Sequence, residues 1–115
     1  MYNKSYAIIA QESPQHYRRV ERALLEQAID ELRSACIHGS MSVEMFKATA
    51  RLRRIWSALI SDLSNENNAL PDELRASLIS IGIWIQKELD KIDAGKSDNY
   101  SGIIEINQII VNGLG

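Results

Sequence analysis

The sequence predicts an all-α fold, a small four-helix bundle with a short N-terminal arm packed on it. Three observations carry that prediction. Prolines are only two in 115 residues, so long stretches run free of helix breakers. Apolar residues recur at three- and four-residue spacings through four segments. Clusters of turn-forming residues, Asn65-Glu-Asn-Asn-Ala69 and Lys96-Ser-Asp-Asn99 among them, separate those segments. A hydrophobic content of 45% with 24% charge is that of an ordered globular chain. The length suits one domain spanning residues 1–115.

The first helix is expected over about 14–38, opening at Ser13-Pro14, a capping residue followed by proline at the first helical position, and ending at His38-Gly39. Tyr17, Leu24, Ala28, Leu32 and Ala35 form its apolar stripe, with Leu25, Ile29 and Cys36 on the shoulder. The second is expected over about 42–64, with Met45, Ala48, Leu52, Ile55, Trp56, Leu59 and Leu63 on one side and Arg51 and Arg54 opposite. Pro71-Asp-Glu73 starts a third helix over about 71–94, its carboxylates placed where the helix dipole favours them. A fourth and shortest helix is expected over about 101–113, where Ile103, Ile106, Ile110 and Leu114 share a face. Residues 1–12 form the arm, and Tyr2, Tyr6, Ile8 and Ile9 make it apolar enough to lie across the bundle.

The third helix is apolar on two sides. Leu74, Leu78, Ile81, Ile85, Leu89 and Ile92 make one stripe, while Ala76, Ile79 and Ile83 project from the other. Burying an isoleucine is worth roughly 1.5–3 kcal/mol, so something must cover that second stripe. Gly82 costs about 1 kcal/mol of helix propensity relative to alanine but permits close approach of another helix. On the fourth helix Ile109 points away from the stripe, and Asn107 falls within it as a polar residue that needs a partner. Ala76, Ile79, Gly82, Ile83, Trp84, Asn107 and Ile109 are therefore the candidate partner-binding residues. Extra core, or self-association through the same stripe, would also cover them. On the groove reading, Ile79→Asp or Ile83→Asp abolishes partner binding while the chain stays folded.

Catalytic chemistry is poorly provided for. The histidines are His16, in the first helical turn, and His38, near a helix end where the dipole favours its cation. Cys36 and His38 do not share a helix face. Asp30-Glu31 and Asp72-Glu73 are adjacent pairs rather than converging carboxylates. No phosphate-binding glycine loop and no paired Cys and His spacing occurs. The expectation is a protein that is not an enzyme and takes no cofactor or metal. A single cysteine cannot form an internal disulfide, and no membrane-length apolar run or signal-peptide pattern is present, so the cytoplasm is the expected location.

The formal net charge of -2 gives little reason for nucleic-acid binding. The halves nevertheless differ in sign: residues 1–58 carry 9 Lys or Arg against 6 Asp or Glu, a net +3, and residues 59–115 carry 4 against 9, a net -5. Such an asymmetry would help the halves pack. In Arg51-Leu-Arg-Arg-Ile-Trp56, three arginines and an aromatic have the composition of an RNA grip. Helical phase, however, sends Trp56 to the core side, away from Arg51 and Arg54, which leaves those two as an alternative polar contact for an acidic partner or RNA.

The blocks Ser13-Pro-Gln-His-Tyr-Arg-Arg-Val-Glu-Arg-Ala-Leu24, Leu52-Arg-Arg-Ile-Trp56, Leu70-Pro-Asp-Glu-Leu-Arg-Ala-Ser-Leu-Ile-Ser-Ile-Gly-Ile-Trp84 and Gly102-Ile-Ile-Glu-Ile-Asn-Gln-Ile-Ile-Val-Asn-Gly-Leu114 resemble those of the FlaF family of bacterial flagellar biosynthesis proteins. Met1-Tyr and Ser5-Tyr-Ala7 fit the same resemblance, which runs over nearly the whole chain. It implies a role in flagellin production, after transcription and alongside the FlbT protein, promoting flagellin synthesis or export. Flagellin is then the implied partner, in a groove holding an amphipathic flagellin helix as an export chaperone would, with a FlbT-type regulator as a second. The rival expectation is a regulator of flagellin messenger RNA translation acting through Arg51 and Arg54.

Overall fold

The computed structural model describes the backbone of residues 14–39 and 42–114 and the side chains of residues 22–39 and 42–113. The expected N-terminal arm, with Tyr2, Tyr6, Ile8 and Ile9, lies outside the described residues, as do the side chains of His16 and Tyr17. Four helices follow one another: α1 (Pro14–His38), α2 (Val43–Leu63), α3 (Asp72–Asp93) and α4 (Tyr100–Leu114). Each lies within a residue of the expected bounds.

The helix ends have local causes. Gly39, at φ 100°, takes the left-handed conformation that stops α1. Ser42 caps α2, its Oγ accepting from the Met45 amide at 3.1 Å. At the end of α3, Gly95 at φ 72° donates its amide to Ile92 O at 3.0 Å, and Lys96 donates to Lys91 O at 2.8 Å. This pair of bonds is a Schellman cap. Asn99 caps α4, its Oδ1 accepting from the Gly102 amide at 3.1 Å. A Cβ on Gly102 would come within 2.6 Å of that Asn99 side chain, so the cap needs the missing side chain.

α1 packs along α2 and α4, and α2 packs along α3. Among the described residues α3 and α4 share no comparable packing, so these helices stand in the order α4–α1–α2–α3 with one flank that neither closes on the other. The interior is filled by Leu25, Ala28, Ile29, Leu32 and Ala35 of α1, the whole stripe of α2, Ile85, Leu89 and Ile92 of α3, and Ile103 and Val111 of α4. Ion pairs mark the packed seams. Arg51 meets Glu31 of α1 at 3.4 Å, and Arg53 grips Asp90 at 2.6 Å and Asp93 at 2.7 Å on α3. The second of these joins the basic half of the chain to the acidic half.

Three sequence expectations need correction. Leu74 is exposed and Leu78 and Ile81 only half-buried, although all three belong to the core-facing stripe of α3. Packing explains the difference: α3 lies along α2 and not along α4, so the part of its stripe turned away from α2 has no helix closed over it. On α4 the deepest positions are Ile103, Asn107 and Val111, and Ile106 and Ile110 form a half-buried shoulder. Cys36 is exposed and free, not on a covered shoulder.

Candidate functional site

Trp56 organises the space between the edge helices. Fully buried on α2, it donates its indole Nε1–H to Asn107 Oδ1 on α4 at 2.8 Å. The Asn107 amide in turn donates to Ile103 O at 2.7 Å, so this buried side chain uses both its donor and its acceptor inside the bundle. On the other side the ring lies against α3 at Gly82, where a Cβ would come within 2.8 Å of Trp56 Cε3 and 2.9 Å of Ile60. One aromatic thus touches both helices that fail to pack on each other, and it floors the opening between them.

The flanks of that opening follow from the bonds on the opposite sides of its two helices. Gln86, Asp90 and Asp93 turn one side of α3 toward α2, through Arg53 O, Ser57 and the Arg53 guanidinium. Helical phase then sends Ile81 and Trp84 to the side turned away from α2. On α4, Gln108 accepts from Arg33 of α1 at 3.4 Å, so Ile106, Ile109 and Ile110 fall on the flank away from α1. Trp84 is 42% exposed and Ile109 57%. Leu78, Ile81, Ile106 and Ile110 are half-buried beside them, and helical phase sets these six along an apolar slot between α3 and α4. In the loop joining the two helices, Ser97 donates to the buried Glu88 carboxylate at 2.6 Å.

The candidate residues thus divide among three places. Gly82 and Asn107 are interior, a correction to their reading as partner contacts: Gly82 is the seat of Trp56, and Asn107 is the acceptor for its N–H. Helical phase puts Trp84 on the slot and the more exposed Ile109, two residues from buried Asn107, at its outer rim. Ala76 and Ile83 are exposed on the outer side of α3, and half-buried Ile79, seven residues before Gln86, lies at the edge of that side toward α2, away from the slot. Sequence reasoning placed Leu78, Ile81, Ile106 and Ile110 in the core. Their half-exposure follows from α3 and α4 not pairing, for which the residue pattern holds no signal.

The two candidate arginines also part. Arg51 is engaged with Glu31, and its Nε is buried without a hydrogen-bond acceptor, whereas Arg54 is exposed and makes no ion pair among the described residues. Among the described residues no group of three or more His, Cys, Asp or Glu side chains is placed to hold a metal. None of the described helices is long and apolar enough to cross a membrane. Partial burial pushes the pKa of the Cys36 thiol above its ordinary value.

Comparison with known proteins returned a family model described as flagellar protein FlaF, which matches residues 2–114. Neither the curated proteins nor the solved structures yielded a match.

Proposed function

This chain belongs to the FlaF family of flagellar proteins, and on that premise we propose that it is a flagellin-binding export chaperone that holds an amphipathic flagellin helix in the slot between α3 and α4. The observation that carries this reading is the slot itself: an apolar trough lined from two helices, with Trp84 and Ile109 exposed on its rims. Helix-in-groove recognition uses such a surface, apolar anchors of the guest entering at three- and four-residue spacing. Covering a flagellin helix there would withhold a surface that otherwise joins other flagellins, and the occupied state would report unexported flagellin to the translation machinery. The α4 rim carries the single charge Glu105 among its 15 residues, and on α3 the charges in the row of Trp84, Glu88 and Lys91, are opposite in sign. Binding should therefore change little with salt.

The rival reading, a regulator of flagellin mRNA acting through RNA or a FlbT-type protein, is left with Arg54 alone, because Arg51 is taken up by α1. Calorimetric titration of purified monomeric flagellin into the protein tests the proposal, with a flagellin leader RNA run in parallel. Trp84→Asp and Ile109→Asp should each weaken flagellin binding by about tenfold or more, the loss typical of a central anchor, while the helical circular dichroism stays intact. Ile83→Asp, on the outer face, should leave it unchanged. Loss of binding in Ile83→Asp alone would move the site to the outer face of α3. Wild-type protein that ignores flagellin and binds the RNA would end the chaperone reading.

A further inference from the structure

Of the exposed large apolar side chains, Leu74, Ile83, Trp84 and Ile109 belong to α3 and α4, whereas Ile37, Val43 and Phe46 flank the turn between α1 and α2. The second group lies at the other end of the bundle from the free first turns of α3, and the slot does not use it. Val43 and Phe46, 63% and 47% exposed, fall on one face of α2 with Lys47, Ala50 and Arg54, as their spacing at three, four, seven and eleven residues requires. We propose that this outer face of α2 is a docking strip for an acidic amphipathic protein helix, distinct from the α3–α4 slot.

Charge adds to the apolar surface of the strip. Arg22, Arg33, Arg51, Arg53 and Arg75 each have a carboxylate partner, whereas Lys47 and Arg54 on α2, like Lys87, Lys91 and Lys96 later in the chain, are exposed and have none among the described residues. Of the nearby acids, Asp90 and Asp93 are held by Arg53, and Glu44, the i,i+3 neighbour of Lys47, forms no ion pair with it among the described residues. The strip thus joins two exposed apolar side chains to two unneutralised cations, with the small Ala50 between Phe46 and Arg54. From Val43 to Arg54 the rise is about 16 Å, or three helical turns. A guest helix of that length, with leucine-like residues along one row and carboxylates beside it, complements both features. The apolar row would bury Val43 and Phe46, and the carboxylates would meet Lys47 and Arg54, setting orientation and speeding encounter.

The test is fluorescence anisotropy with the full chain and a labelled synthetic helix carrying leucine and glutamate at helical spacing. Binding that weakens as salt rises is expected. The pair Lys47→Glu with Arg54→Glu, and separately Phe46→Ser, should each weaken it by about tenfold or more. Both variants alter exposed residues, and their circular dichroism and thermal unfolding should match the wild type. Trp84→Asp should leave peptide affinity unchanged, so this result separates the strip from the slot whichever way flagellin behaves. Equal binding of a control helix with lysine for glutamate, or peptide affinity unmoved in both strip variants, would overturn the proposal. So would displacement of the peptide by single-stranded RNA, which would make the strip a polyanion site. A solution mass of two chains that falls to one in Phe46→Ser would instead make it a self-interface.

Discussion

The indole of Trp56 and the amide of Asn107, 51 residues apart in sequence, form a 2.8 Å hydrogen bond in the interior. It joins α2 to α4, two helices that do not pack along their lengths. The bond resolves a difficulty at each end: tryptophan buries its N–H only where an acceptor is available, and asparagine enters an apolar face only where its amide is satisfied.

Asn107→Leu should therefore destabilise the protein even though leucine is the more apolar side chain. It strands the Trp56 N–H in the interior, at a cost of about 1–3 kcal/mol. Urea denaturation should show a lower midpoint at an unchanged slope. In a Trp84→Phe background, where Trp56 is the remaining tryptophan, its native emission should also shift. An unchanged midpoint would mean that the N–H finds another acceptor.

Gly82→Ala sets two effects against each other. Alanine gains about 1 kcal/mol of helix propensity, but its methyl would sit 2.8 Å from Trp56 Cε3 and 2.9 Å from Ile60. Ile60 is half-buried, but the Trp56 ring is buried and tied to Asn107. Overpacking of this kind costs about 1–3 kcal/mol, so a lower Tm is expected. A higher Tm would show that α3 moves away from α2 without loss.

Cys36 is exposed, yet partial burial raises the pKa of its thiol. A raised value means less thiolate at neutral pH, and the thiolate is the nucleophile. Alkylation by iodoacetamide near pH 7 should be slower than that of a short cysteine peptide. Its rate should climb with pH to an inflection above the peptide's, and an inflection at or below it would contradict the burial.

Legibility in the sequence varied from helix to helix. Each apolar position expected to be buried on α2, from Met45 to Leu63, is buried, because α2 is covered by α1 on one side and α3 on the other. The stripe of α3 is equally regular but is covered only in its second half, where Ile85, Leu89 and Ile92 lie. Periodicity tells which face turns inward and says nothing of whether a neighbouring helix closes over it. Asn107 was legible as a residue that needs a partner, and Gly82 as a point of close approach. That both needs are met by Trp56 depends on contacts between distant segments, which no local pattern encodes. The candidate site was legible in kind, as surplus apolar surface on α3 and α4. It was less so in place, since the candidates fall on the outer face, the slot and the interior.

The order α4–α1–α2–α3 also sets a schedule for synthesis. α1, α2 and α3 pack with their neighbours in sequence and can associate as they leave the ribosome, whereas α4 must return across the chain to α1, as the Arg33–Gln108 contact does over 75 residues. Until the 15 residues of α4 emerge, one side of α1 and the Trp56 N–H have no partner from that helix. A chain terminated before Tyr100 would carry that unfinished surface permanently. Docking of α4 thus ends an interval of exposure: nascent chains present apolar surface to chaperones and proteases until α4 closes it.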